Sequence, residues 1–128
     1  MNTNEESMKK HILVVDDEKE IRDILETFLE KHGYTVTATE NGAQAVDIME
    51  STKVDCMILD MRMPETSGQS VLKKMAQKGI AVPVIILTGS QDVSGNFLEI
   101  QEMGYEDILF KPIDLNVILE LIQKKIGE

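Results

Sequence analysis

The sequence predicts an α/β fold, one doubly wound domain in which a five-stranded parallel sheet carries helices on both faces. Three observations predict it. From His11 onward, short runs rich in Val and Ile alternate with longer stretches of helical periodicity, strand then helix, five times over. Parallel strands need crossovers of a dozen or more residues, usually helical, and the intervals here supply them. The chain has 128 residues and is 42% hydrophobic, one domain's worth and enough to close a core.

Each element can be justified in turn. The opening "MNTNEESMKK" is polar and aperiodic, so residues 1–10 read as a flexible tail and the domain as 11–128. "HILVVD" is the first strand. In "EKEIRDILETFLEKHG", Ile21, Ile24, Leu25, Phe28 and Leu29 recur at helical spacing and Gly33 supplies a stop. "YTVTAT" alternates, which suits an edge strand. "NGAQAVDIMES" follows as a helix with Ala45, Val46 and Met49 inward, then the strand "VDCMILD". "SGQSVLKKMAQKG" turns Val71, Leu72 and Met75 to the sheet and leads to the strand "VPVIILT". A weaker helix is expected within "DVSGNFLEIQEMG", where Gly95 and Asn96 lower the propensity of its start. "DILFK" is the fifth strand. "DLNVILELIQKKI" closes the chain with a core stripe of Leu115, Ile118, Leu119, Ile122 and Ile126, leaving Val117 and Leu121 on the flank as a candidate contact surface against a wide core face. The first, third and fourth strands are almost continuously apolar, as central strands covered on both faces should be.

Composition excludes several classes of function. The net charge is −10, and 13 Lys and Arg are scattered among 23 Asp and Glu, which argues against direct nucleic-acid binding and for protein partners. Apolar runs such as "AVPVIIL" fall far short of the roughly 20 residues of a membrane helix, and no leader pattern opens the chain. The expectation is a cytoplasmic protein. The single cysteine, Cys56, reads as a small buried residue, His11 and His32 have no metal-ligand spacing, and the eight methionines read as core filler.

The chemistry lies at the strand ends. In open α/β sheets ligands bind beyond the carboxyl ends of the strands. "ILVVDDEKE" runs from a strand straight into Asp16 and Asp17, and the third strand ends in Asp60. Three converging carboxylates at about 4 Å and an effective dielectric near 20 would repel by roughly 4 kcal/mol per pair, so a cation must sit among them. Magnesium is usually held by one or two carboxylates, backbone oxygen and water, with positions left for phosphate oxygens. The fourth strand adds the hydroxyl of Thr88 and the fifth the charge of Lys111. Acids, metal, hydroxyl and lysine make a phosphoryl site in which one carboxylate is the nucleophile. Read singly, each piece has a plainer meaning. Paired aspartates often mark a solvated helix start, and Pro64 and Gly68 could be turn residues.

Taken together, "VVDDE", "LDMRMPETSG", "ILTGS" and "LFKP", in this order and at these intervals, resemble the receiver domain of two-component response regulators, from about His11 to Ile126. The resemblance implies a flavodoxin-like strand order 2-1-3-4-5. It implies that Asp60 accepts a phosphoryl group from the phosphohistidine of a sensor kinase or phosphotransfer protein. Asp17 would bind Mg2+ directly, supported by Asp16, with Asp60 and the backbone carbonyl of Arg62 completing the protein ligands. Lys111 would contact the phosphoryl oxygens, Thr88 would hydrogen-bond one of them, and the Lys111–Pro112 peptide would be cis. Such a module phosphorylates and slowly dephosphorylates itself but is not an enzyme for an external metabolite. Its output would be a changed surface on the helix after the fourth strand, the fifth strand and the C-terminal helix, read by a downstream protein, a second copy of the chain, or an output domain if the sequence is a piece of a longer one.

Two other classes compete. A haloacid-dehalogenase-type hydrolase would carry an acid two residues after the nucleophile, where this chain has Arg62, and a cap for which no segment is left over. A degenerate receiver would be a constitutive binding module, which the full acid set disfavours. One departure from the family stands out: Ile108, three residues before Lys111, occupies a place usually held by Tyr or Phe. A stiff β-branched residue cannot swing a ring inward. The stretch from Thr88 to Gly104 is also one residue longer than usual, so the signal is expected to travel by ordering of residues 90–97.

Overall fold

Every second residue of each central strand faces the same layer of helices, and this alternation builds two cores from one sheet. The computed structural model describes residues 9–61, 68–89, 105 and 107–127. Within them the strands are β1 (His11–Val15), β2 (Thr35–Thr39), β3 (Cys56–Asp60), β4 (Val84–Thr88) and β5 (Ile108–Phe110). The helices are α1 (Lys19–Lys31), α2 (Gly42–Ser51), α3 (Gly68–Lys78) and α4 (Leu115–Ile126). All strand pairs are parallel, and the order is β2-β1-β3-β4-β5. The alternating strand is at the edge and the apolar runs are central, as the sequence pattern predicts.

On one face Ile12, Val14, Cys56, Ile58, Ile85 and Leu87 pack with Leu25 and Leu29 of α1 and Ile118 and Ile122 of α4. On the other, Leu13, Val15, Met57, Leu59 and Ile86 pack with Ala45, Val46 and Met49 of α2 and Val71, Leu72 and Met75 of α3. Met49, Met57, Met61 and Met75 are buried, so these methionines do fill the core. Burial pushes the Cys56 thiol up to about 12, the state of an inert core residue.

The helix ends follow their local chemistry. Asn41 caps α2 by accepting from Gln44 N at 3.0 Å, and Asp114 caps α4 by accepting from Asn116 N and Val117 N. Gly33, at φ +93°, takes the left-handed turn that ends α1. One inward and one flank assignment need correction. Ile24 is 41% exposed, because the stripe on α1 is wider than the strip the sheet and α4 cover. Leu121 packs against the core rather than lining a free flank, while Val117 beside it is 36% exposed. The helix expected within residues 92–104 and most of the expected N-terminal tail fall outside the described residues.

Candidate functional site

Strand order reverses between β1 and β3, since the chain leaves β1 toward β2 on one side and returns to β3 on the other. The crevice beyond the carboxyl ends of this pair is where open α/β sheets bind ligands. Asp16 follows β1 directly and Asp60 is the last residue of β3, so register alone sets the two carboxylates on either side of that crevice. Both are buried, Asp16 completely and Asp60 to 1% exposure.

Asp16 is held at three points. Its N–H donates to Thr39 O at 3.1 Å, its carbonyl accepts from Arg22 Nη1 at 2.8 Å, and its Oδ1 accepts from Glu18 N at 2.9 Å. The remaining oxygen, Oδ2, is buried and accepts no hydrogen bond. Burial pushes the Asp16 carboxyl above its ordinary value, against the opposing pull of the Glu18 N–H and of Lys111.

The cation that the crowded acids require is present in the chain itself. Lys111 comes in from the end of β5, anchored by its N–H to Thr88 O at 2.8 Å, and the Lys111–Pro112 peptide is cis, as the resemblance implies. Its Nζ lies 3.4 Å from Asp16 Oδ2, 3.4 Å from Asp60 Oδ2 and 2.8 Å from Glu18 Oε2. Burial alone would lower the lysine's pKa. The Glu18 hydrogen bond and the charges of Asp16, Asp60 and Glu18 outweigh it and hold the ammonium above its usual value.

Thr88, buried at the end of β4, donates its hydroxyl to Gly89 O at 3.3 Å and completes the rim of described residues. Gly68, the first residue of α3, is no plain turn residue. Its N–H donates to Met61 O at 3.1 Å, and α3 approaches so closely that a Cβ here would meet the Asp60 carbonyl at 2.8 Å.

Carboxylate oxygens of Asp16, Asp17 and Glu18 lie within 4.8 Å of one another. Three hard oxygen donors this close, one of them on a fully buried carboxylate, fit a divalent cation of the magnesium or calcium kind. The composition of the cluster departs from expectation. Asp60 meets Asp16 through the shared lysine, and Glu18, which sequence reasoning passed over, joins both the acid cluster and Lys111. The signal for Glu18 was the third acid of "VVDDE", but its partner lies 93 residues away on another strand. The carbonyl of Arg62 and the proposed ordering of residues 90–97 fall outside the described residues. Ile108 and Tyr105 both pack partly buried against the same core, and burial raises the Tyr105 phenol, whereas Phe110 is 45% exposed. Among the described residues, Tyr105 is thus a ring packed against the same core that Ile108 touches.

A parallel five-stranded sheet in this order, with acids at the β1 and β3 ends and a lysine closing over them from β5, defines the receiver class. The sequence model of the response regulator receiver domain matches residues 12–123, and the chain belongs to that family, the phosphorylation-switched receivers of two-component signalling. Response regulator SaeR of Staphylococcus epidermidis is 40% identical over 102 residues, covering 80% of this chain and 44% of SaeR. The chain therefore spans less than half the length of the curated relatives it matches. Among solved structures, the receiver domain of the Francisella response regulator 1452 superposes with a TM-score of 0.83 at 28% identity, over 93% of this chain and 98% of that one. Full-length FixJ from B. japonicum gives 0.84 at 31% identity, over 93% of this chain and 58% of FixJ.

Proposed function

We propose that Asp60 is the phosphoacceptor of this receiver and that residues 11–128 form its phosphorylation-switched unit. The observation that supports it is one ammonium, Lys111, shared at 3.4 Å by a buried carboxylate from each side of the switch point. An Asp60 oxygen attacks the phosphorus of a kinase or phosphotransfer-protein phosphohistidine, the P–N bond breaks, and the imidazole nitrogen leaves with the bonding pair. The product is an aspartyl phosphate, which water later cleaves. Lys111 follows the new anion, and the Thr88 hydroxyl turns from Gly89 O to donate to a phosphoryl oxygen. Asp16, Asp17 and Asp60, with the Arg62 carbonyl assigned from sequence alone, would hold magnesium, which when bound neutralises charge on the transferring oxygens.

The donor is a protein in the cytoplasm, and its docking surface is α1 and the start of α4, the elements that lead away from the site. Ile24, Thr27, Phe28 and Leu115 line an apolar groove of about 400 Å³ there, with Asp23 and Lys31 at its edges. No helix among the described residues is long and apolar enough to cross a membrane. A downstream protein, a second copy or an output domain reads the β5 and α4 surface, where Phe110 and Val117 are exposed.

The test is acetyl phosphate with Mg2+ on the wild type and on Asp60→Ala. Covalent phosphate is expected on the wild type and absent from the folded variant. Phosphate still bound to Asp60→Ala would overturn the assignment.

A further inference from the structure

Among the described residues, the shortest contact of the Lys111 ammonium is with Glu18 and not with either buried aspartate. Glu18 Oε2 lies 2.8 Å from Nζ, within charge-assisted hydrogen-bond distance, whereas Asp16 and Asp60 are each at 3.4 Å. Glu18 occupies the N-cap position of α1, yet its side chain makes no capping bond. Its carboxylate reaches across the crevice to Lys111 instead. Its backbone is pinned beside the site by the bond from its N–H to Asp16 Oδ1, so only the side chain is free to let go. At 54% exposure that carboxylate is solvated as soon as it releases the lysine.

We propose that Glu18 is a positioning residue that holds the Lys111 ammonium outward from Asp60, so that an anion arriving on Asp60 must take the lysine from Glu18. The inference rests on Asp60 as acceptor and Lys111 as its cation. Glu18 sets how readily the loaded state forms, because loading exchanges a Glu18–Lys111 bond for a phosphoryl–Lys111 bond. Removing the Glu18 charge releases the ammonium and favours the loaded state. An acid that bound the metal would act in the opposite direction, since its loss would weaken magnesium and the anion with it.

The experiment is a beryllofluoride titration of the full chain at saturating Mg2+, with Mg2+ affinity measured separately, on wild type, Glu18→Gln, Glu18→Asp, Lys111→Met and the Glu18→Gln/Lys111→Met pair. Glu18→Gln is expected to bind beryllofluoride about twofold to fivefold more tightly, the range of a partly exposed ion pair. Glu18→Asp keeps the charge but shortens the reach, so it should shift the same way, and the gain should vanish in the Lys111→Met background. Equal or weaker binding by Glu18→Gln would overturn the proposal. So would a gain that persists without the lysine, a Glu18→Asp that matches wild type, or a large loss of Mg2+ affinity in Glu18→Gln. A wild type that fails to bind beryllofluoride would instead sink the acceptor assignment and this inference with it.

Discussion

Gly68→Ala should destabilise the protein, although an added methyl at the start of a helix normally helps it. In an open helix Gly→Ala gains about 0.5–1 kcal/mol, because glycine loses the most backbone freedom on folding. Here the new Cβ would lie 2.6 Å from Met61 Sδ, 2.8 Å from Asp60 O and 2.8 Å from Met61 Cα. The thioether can swing away. The two backbone atoms belong to β3 and the residue after it, buried in the sheet, and cannot. To restore ordinary contact at 3.4 Å, α3 must retreat by about 0.6 Å, carrying Val71, Leu72 and Met75 with it. Overpacking of this kind costs about 1–3 kcal/mol, which outweighs the propensity gain and leaves a net loss of roughly 1–2 kcal/mol. Urea denaturation should show a lower midpoint at unchanged slope, with a melting temperature lower by roughly 3–5 °C per kcal/mol. Lys73→Ala, exposed on the same helix, should stay within about 0.5 kcal/mol of wild type. Beryllofluoride affinity should fall in Gly68→Ala alone, because α3 draws away from the strand end that carries Asp60. A Gly68→Ala variant as stable as wild type would refute the close approach of α3 to the acceptor strand.

Two further predictions concern the acids and the donor. Because burial raises the Asp16 carboxyl, the folded metal-free chain holds a proton there more tightly than the unfolded chain does, and stability falls as pH rises from about the ordinary value of 3.8 through the raised pKa. Urea midpoints of wild type and Asp16→Asn without metal should show this acid-side gain only in the wild type; identical profiles would refute the burial argument. Ile24→Glu, at a 41% exposed position, should leave stability within about 0.5 kcal/mol and beryllofluoride binding unchanged, yet slow transfer from a phosphohistidine protein roughly tenfold. A protein-donor transfer rate in that variant equal to that of wild type would move the docking surface elsewhere.

Much of this protein follows from local pattern. The apolar periods of 2 and 3.6 determine which segments become strands and helices, and near-continuous apolar runs mark β1, β3 and β4 as central. Once the sheet is parallel, every strand ends on the same side, so Asp16, Asp60, Thr88 and Lys111 reach one rim whatever their distance in sequence. That is why the site is legible in the amino-acid sequence. Helix flanks are less legible, because spacing shows that Ile24 and Leu121 lie near an apolar stripe but not how wide a strip the neighbouring elements cover. Tertiary structure alone decided the contacts that depend on closure. Glu18 became the near partner of Lys111, Asp16 lost all exposure, and Gly68 came against the Asp60 carbonyl. Each turns on separations of a few tenths of an ångström between segments distant in the chain, and such distances are set by how the whole core packs, which no local pattern encodes.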